Sequence, residues 1–325
     1  MMYALLFTII ALMRVIQKIC SKSVSREIAG PTYFHYGGYY QLLSAIFSIV
    51  AVAIVGFYGF DLITLLLAIA TAVFLAINIF SSTEALKTAP LIVLQMFSAG
   101  SIVVPCIVGI FLFDEPMGLV KWIAMFIFIA AMCLLVYPPK EKREKKEKMS
   151  FKTIVLLLID LLSNGMVMVV QKCFSKLVPN GNTSVYSFLM FLSNAVILYA
   201  AYFVIAAAKK NRETVIVTNA ESGEKESREL KVIRPLTKLL LICGAFLAFA
   251  LFVVNYIVTE LGRTMDSSVL FTISFAISIL ITVLIGCIYY KEKLTAINIV
   301  GLVLGLVSTV MLNLDVEAII KTVFG

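Results

Sequence analysis

Long apolar runs separated by short polar breaks dominate the chain and predict helices that cross a lipid bilayer. Such a crossing takes about 20 apolar residues, and backbone groups in lipid must be satisfied within the segment. Ten runs meet this condition: Met2 to Cys20, Thr32 to Val55, Leu62 to Phe80, Ala89 to Phe113, Leu119 to Tyr137, Thr153 to Lys172, Thr183 to Ala208, Leu239 to Val258, Ser267 to Tyr290 and Thr295 to Leu314. Connections such as Gly56 to Asp61 and Lys291 to Leu294 are short, which leaves successive helices antiparallel and adjacent. Two are longer and polar. The charged run Lys140 to Lys148 follows Pro138 and Pro139 as a solvated linker, and Lys209 to Lys238 is an insertion with room for a small hairpin around Val215 to Thr218.

The expected fold class is therefore an all-α polytopic membrane protein. Its parts are a first five-helix unit at 1–139, a linker at 140–152, a second five-helix unit at 153–314 containing the insertion 209–238, and a tail at 315–325. Composition agrees: 61% of the 325 residues are hydrophobic and 14% charged, where a soluble domain carries about 25% charged residues. The net charge of +8 lies in short loops between apolar runs, where a membrane surface is the nearer anion, so nucleic acid is not an expected partner. The first run is a retained span, because its basic residues Arg14, Lys18 and Lys22 follow the apolar stretch instead of preceding it. Lys22, Arg26, Lys87, the linker cluster, the insertion cluster, Lys291 and Lys293 fall on one side, against Lys121, Lys176, Arg263 and Lys321 on the other. Cytoplasmic loops hold the basic excess, which predicts a multi-pass protein of the cell membrane with both termini non-cytoplasmic.

Reaction chemistry finds little footing. The six cysteines show no C-x-x-C spacing and His35 is the only histidine, so zinc motifs, nucleotide-binding loops and hydrolase elbows are lacking, and neither cofactor nor metal is expected.

The chain also repeats itself. Gln17 to Lys22 (Q-K-I-C-S-K) recurs as Gln171 to Lys176 (Q-K-C-F-S-K); Glu84 to Thr88 matches Glu260 to Thr264; Asp114 to Pro116 matches Lys291 to Lys293. Five spans per half is an odd number, so the second half enters the membrane from the opposite side. Two inverted halves around a midplane site form the geometry of alternating access.

With the A-L-K-T-A-P string at Ala85 to Pro90, its counterpart E-L-G-R-T-M at Glu260 to Met265, and the elbows around Glu115 and Glu292, the pattern resembles the drug/metabolite transporter superfamily and its EamA-like permeases of ten spans. The resemblance covers about Met1 to Leu314. It implies a carrier of a small metabolite, such as an amino acid, another polar metabolite or a drug-like solute, without naming the cargo.

Ionisable and amide groups inside spans are costly and are the candidate site residues. Arg14 lies about 18 Å along the first helix, deep enough to bind an anionic substrate, although its long side chain also allows it to snorkel to the interface near Lys18. Asp160 cannot reach far, and Ser163 and Asn164 follow on the same face. It is a candidate for binding an amine or a coupling proton, or for a structural bond to a neighbour such as Arg14. Asn78, Gln95, Asn194 and Asn255 suit either substrate or helix fastening. Tyr33, Phe34, Tyr36, Tyr39 and Tyr40 suit a pocket mouth or an interface belt. Glu84 with Lys87, and Glu260 with Arg263, have the spacing of local ion pairs. Gly301 and Gly305 admit a close helix, within this protein or in a homodimer.

The sequence thus predicts a secondary transporter, not an enzyme, with the bilayer and a small solute as partners and protons as the candidate drive. The rival reading is an integral membrane enzyme acting on lipid or isoprenoid. Such enzymes need clustered carboxylates or a nucleophile pair, and one mid-span Asp with one His is poor material for either.

Overall fold

The structure is a computed structural model that describes residues 2–25, 27–28, 31–57, 59–113, 118–136, 150–208, 212–218, 225–231, 235–264, 278–279, 281–291 and 295–311. Its helices are α1 (Met2–Val24), α2 (Thr32–Val55), α3 (Leu62–Ala85), α4 (Leu91–Gly100), α5 (Val103–Phe113), α6 (Leu119–Val136), α7 (Phe151–Leu177), α8 (Thr183–Ala208), α9 (Lys238–Thr264) and α10 (Ala296–Met311). Residues 281–288 are also helical. The insertion forms an antiparallel hairpin, β1 (Arg212–Thr218) against β2 (Lys225–Lys231), with Arg212 opposite Lys231. The predicted linker and tail lie outside the described residues, apart from Ser150, Phe151 and Lys152.

Six helical segments among the described residues are long and apolar enough to cross a membrane, the unit Leu91–Leu112 counted as one. Their outer faces expose Ile54, Phe111, Leu162, Val204 and Phe246, an apolar coat beyond what water-soluble surfaces tolerate. The segment Leu91–Leu112 is the central one, with 78% of its apolar window buried. The α2 and α8 bounds coincide with the predicted runs. α1, α3, α7 and α9 each run past the predicted end, because the helix continues into polar residues after the apolar run stops.

α4 and α5 are one predicted span broken in two, and Pro105 is the cause. Proline supplies no N–H and its ring clashes with the carbonyl four residues earlier, here Ser101. The chain crosses the break on tighter bonds, Ile102 N to Ala99 O at 3.2 Å and Val104 N to Ser101 O at 3.1 Å. Gly165 of α7 lies against this break, where a Cβ would meet Val104 Cβ at 2.5 Å and the Ser101 carbonyl at 2.7 Å.

Helices pack in a regular set of pairs: α1 with α9, α3 with α7, α2 with α8, α6 with α10, α3 with α8, and α2 with α9. Polar bonds pin the contacts. Ser44 Oγ donates to Ala248 O at 3.1 Å between α2 and α9, Asn194 Nδ2 donates to Ala72 O between α8 and α3, and Asn298 Nδ2 donates to Leu134 O at 3.1 Å between α10 and α6. Gly301 and Gly305 are buried, and Gly305 seats Met96 of α4 and Ala131 of α6, so this small-residue face serves internal packing.

Loops gather at two opposite ends. At one end Lys22 Nζ donates to Leu86 O at 3.2 Å and Ala89 O at 3.0 Å, Thr88 bonds Thr153 at 2.7 Å, and Thr237 Oγ1 donates to Glu27 at 2.9 Å. At the other end Asn182 Nδ2 donates to Gly56 O at 2.7 Å, and Arg263 reaches Thr183 Oγ1 at 2.9 Å and the carbonyls of Pro179 and Gly181. α1 therefore finishes at the end where α7 starts.

Candidate functional site

A cavity of about 90 Å³ lies inside the bundle, with room for on the order of six water-sized groups. Among the described residues, five helices line it. α1 contributes Arg14, Gln17 and Lys18; α3 Asn78; α4 Gln95 and Ser98; α7 Asn164 and Gln171; α9 Asn255, together with the apolar Leu75, Val167, Met168, Leu251, Val254 and Val258.

One hydrogen-bonded network joins four of these helices. Lys18 Nζ donates to Ser98 Oγ at 2.9 Å, and Ser98 Oγ donates in turn to Asp160 Oδ2 at 2.8 Å. Asn78 Nδ2 donates to Asp160 Oδ1 at 2.9 Å and to the Asp160 carbonyl at 3.2 Å. Asp160 is fully buried and stands behind Ser98 and Asn78, outside the cavity lining. Each carboxylate oxygen thus receives a donor, with the Lys18 ammonium one hydroxyl away, an arrangement that accommodates a buried charge.

The break in the central span adds further acceptors. Asn164 Nδ2 donates to Ser101 Oγ at 2.7 Å and to Ser98 O at 3.2 Å, and Ser101 Oγ donates to Ser98 O at 2.6 Å. Side chains thereby take up carbonyl capacity left by the interrupted ladder. Across the cavity Gln171 Nε2 donates to Asn255 Oδ1 at 2.7 Å, while Asn255 Nδ2 returns to Leu251 O of its own helix at 2.8 Å. Among the described residues, Gln95 Oε1, on a side chain 1% exposed, has no hydrogen-bond partner, and Gln17 Nε2 has none either.

Of the sequence-predicted residues, Arg14, Asn78, Gln95, Asn164 and Asn255 meet at this cavity, with Asp160 directly behind it. Asn194 does not join them; it fastens α8 to α3. Arg14 lines the cavity with Nε buried, in place of the snorkelled position its length allowed. The neighbour of Asp160 is Lys18 through Ser98, and Arg14 is not the bridging residue. Sequence reasoning placed Lys18 at the interface end of the first span, whereas α1 continues to Val24 and Lys18 lines the cavity. Ser98, Gln17 and Gln171 were missed. The repeated Gln-Lys pair was the available signal for Gln17, Lys18 and Gln171.

The aromatic group is divided. Tyr33 and Phe34 border an open groove at the basic end with Phe80, Glu84, Lys87 and Ile205, whereas Tyr36 stacks edge-on against Tyr40 with centroids 5.2 Å apart. Glu84 accepts from Tyr33 and pairs with Lys87 at 3.0 Å and Lys152 at 3.3 Å. Glu260 pairs with Arg263 at 3.5 Å. The two local ion pairs expected from spacing are thus both formed, and the first also holds the start of α7.

A helical membrane-type bundle with a polar interior is the class that this geometry defines. No family model and no curated protein matches the sequence. In fold the chain is similar to a solved structure described as "Crystal structure of protein", with a TM-score of 0.62 at 10% identity, covering 96% of this chain and 98% of that one. At that identity the likeness is one of fold alone.

Proposed function

We propose that the protein is a secondary carrier of the EamA-like kind, with ten spans in two inverted halves that move a small polar solute by alternating access. The observation that carries this reading is the cavity inside the bundle with its many polar side chains, lined by helices of both proposed halves and placed beside an interrupted central helix. Interrupted helices at an internal site are the usual construction of transporter binding sites, since irregular backbone at membrane depth is tolerated only where it is buried or lines a cavity.

Two further features support inversion. Numbering α4 and α5 as one span, the pairs α1–α9 and α3–α7 exchange when the first five spans are swapped for the last five, as do α3–α8 and α2–α9, while α2–α8 and α6–α10 map onto themselves. In addition, α1 and α7, which carry the repeated Gln-Lys pair, run in opposite directions. The end bearing Lys22, Lys87 and Lys152 is assigned to the cytoplasm by its basic excess, which leaves the start of α1 on the other side.

The described polar lining consists of amides, a hydroxyl and cations, groups that hold and release a solute without breaking bonds in it. Purified protein in sealed vesicles should show counterflow of at least one labelled metabolite from a broad panel, and pH-gradient dependence of that flux would establish proton drive. Vesicles that show neither counterflow nor gradient-driven flux for any metabolite would overturn the carrier reading.

A further inference from the structure

We infer that the open groove at the basic end binds one phospholipid whose headgroup carries net negative charge, its acyl chain lying between α2, α3 and α8. The inference needs only that the bundle stands in a bilayer, and it holds whether or not the protein carries a solute. Position gives the first argument. The groove, about 420 Å³ in volume, is lined from terminal turns of its helices: α2 begins at Thr32, α3 stops at Ala85 and α8 at Ala208. It therefore lies where the hydrocarbon ends, the depth at which a phospholipid changes from chain to headgroup. Its floor is apolar. Phe34 of α2 stacks on Phe80 of α3 with ring centroids 6.1 Å apart and an interplanar angle of 6°, and Ile205 of α8 adds the third helix. Phe80 is 40% exposed, so this surface meets the bilayer and favours each methylene group laid against it.

Charge gives the second argument and selects the lipid. Glu84 stands one helical turn beyond Phe80, about 6 Å closer to the helix end. Among the described residues lining the groove it is the one carboxylate, and it is shared between Lys87 at 3.0 Å and Lys152 at 3.3 Å. The Tyr33 hydroxyl donates to it as well. Two ammoniums against one carboxylate leave a positive surplus at this rim. Lys87 is held over the Tyr33 ring, 4.5 Å from its centroid, and Lys152 is 73% exposed. A phosphodiester head with an uncharged alcohol takes up that surplus, whereas a choline or ethanolamine head sets a cation of its own against both lysines. With α2 and α3 in the first proposed half and α8 in the second, the bound lipid spans the seam between them.

The test is thermal unfolding of the detergent-purified, delipidated full chain titrated with dioctanoyl phosphatidylglycerol, dioctanoyl phosphatidylcholine or inorganic phosphate. Phosphatidylglycerol should raise the midpoint with half-saturation about fivefold below that of phosphatidylcholine, the effect of one ammonium beside an anionic head. High salt should narrow that gap, and phosphate alone should give no shift. Lys87→Gln should bring the two lipids to the same half-saturation, whereas Lys176→Gln, in the last turn of α7 at the opposite end of the bundle, should leave the preference intact. Ile205→Trp fills the apolar floor without altering an ion pair. It should weaken both lipids several-fold, and it keeps the inference testable if Lys87→Gln does not fold. Equal half-saturation of the two lipids in the parent, a phosphate shift as large as that of phosphatidylglycerol, or an undiminished preference in Lys87→Gln would each defeat the inference. So would an unaltered lipid response in Ile205→Trp, or a loss of preference in Lys176→Gln as large as that in Lys87→Gln.

Discussion

Asp160 and Lys18 share one hydroxyl, so each neutralises a charge that the interior otherwise could not hold. Removing one member of a buried pair leaves an unmatched charge and typically costs about 3–5 kcal/mol, whereas removing both costs much less. Asp160→Asn and Lys18→Gln should therefore each destabilise the folded protein by about 3 kcal/mol, with the double variant closer to the parent. Unfolding measurements on all four proteins form the cycle that isolates this coupling; additive losses would mean the two side chains act independently. A smaller effect belongs to Asp61, the N-cap of α3, whose carboxylate accepts from Thr64 N at 2.8 Å and from the Thr64 hydroxyl. These bonds hold its pKa below the ordinary 3.8. Its support is accordingly complete above that value and fades as pH falls through the lower folded value, as amide exchange across the first turn of α3 at pH 6 and pH 3 would show. At this scale the sequence revealed isolated polar residues well, because Asp160, Asn78 and Gln95 stand out against apolar neighbours. It misplaced Lys18, since a cation near the edge of an apolar run carries no mark of whether the helix stops or continues there.

The broken central span has consequences that belong to the element. Ala in place of Pro105 restores the missing N–H and relieves the clash with Ser101, so Pro105→Ala should keep or raise the unfolding midpoint while reducing vesicle flux several-fold, because the cavity wall is rebuilt as regular helix. Undiminished flux in that variant would show that the interruption is incidental. Gly165 tests the same contact from α7. An added methyl there meets Val104 and backbone, which cannot move aside, so Gly165→Ala should cost about 1–3 kcal/mol. The same change at Gly305 meets the terminal methyl of Met96, a flexible chain that can turn away, and should cost less. Element positions were largely legible: α2 and α8 stop where their apolar runs stop, and the hairpin falls where the polar insertion allowed one. The break was hidden, because Pro105 sits in continuous apolar sequence and hydropathy does not register a missing N–H.

At the scale of the whole molecule, the proposed inversion has a direct readout. Single cysteines replacing Lys87 and Lys176 in a background without reactive thiols should label from opposite sides of the membrane, Lys87 from the cytoplasm. Labelling of both from one side would end the two-half description. The proposed repetition leaves only three short strings in the sequence, since lipid-facing positions need only be apolar and preserve little else. The exchange of helix pairs is the further support for that proposal, because packing constrains which faces meet. One consequence follows from the grip of Glu84 on Lys152. The start of α7 is held to the end of α3 through the Lys152–Glu84 ion pair, with the Thr88–Thr153 bond beside it. Covalent continuity through the Lys-Glu run is then dispensable: a gene cut within 140–148, expressed as two polypeptides, should yield fragments that co-purify and regain the parent's unfolding midpoint.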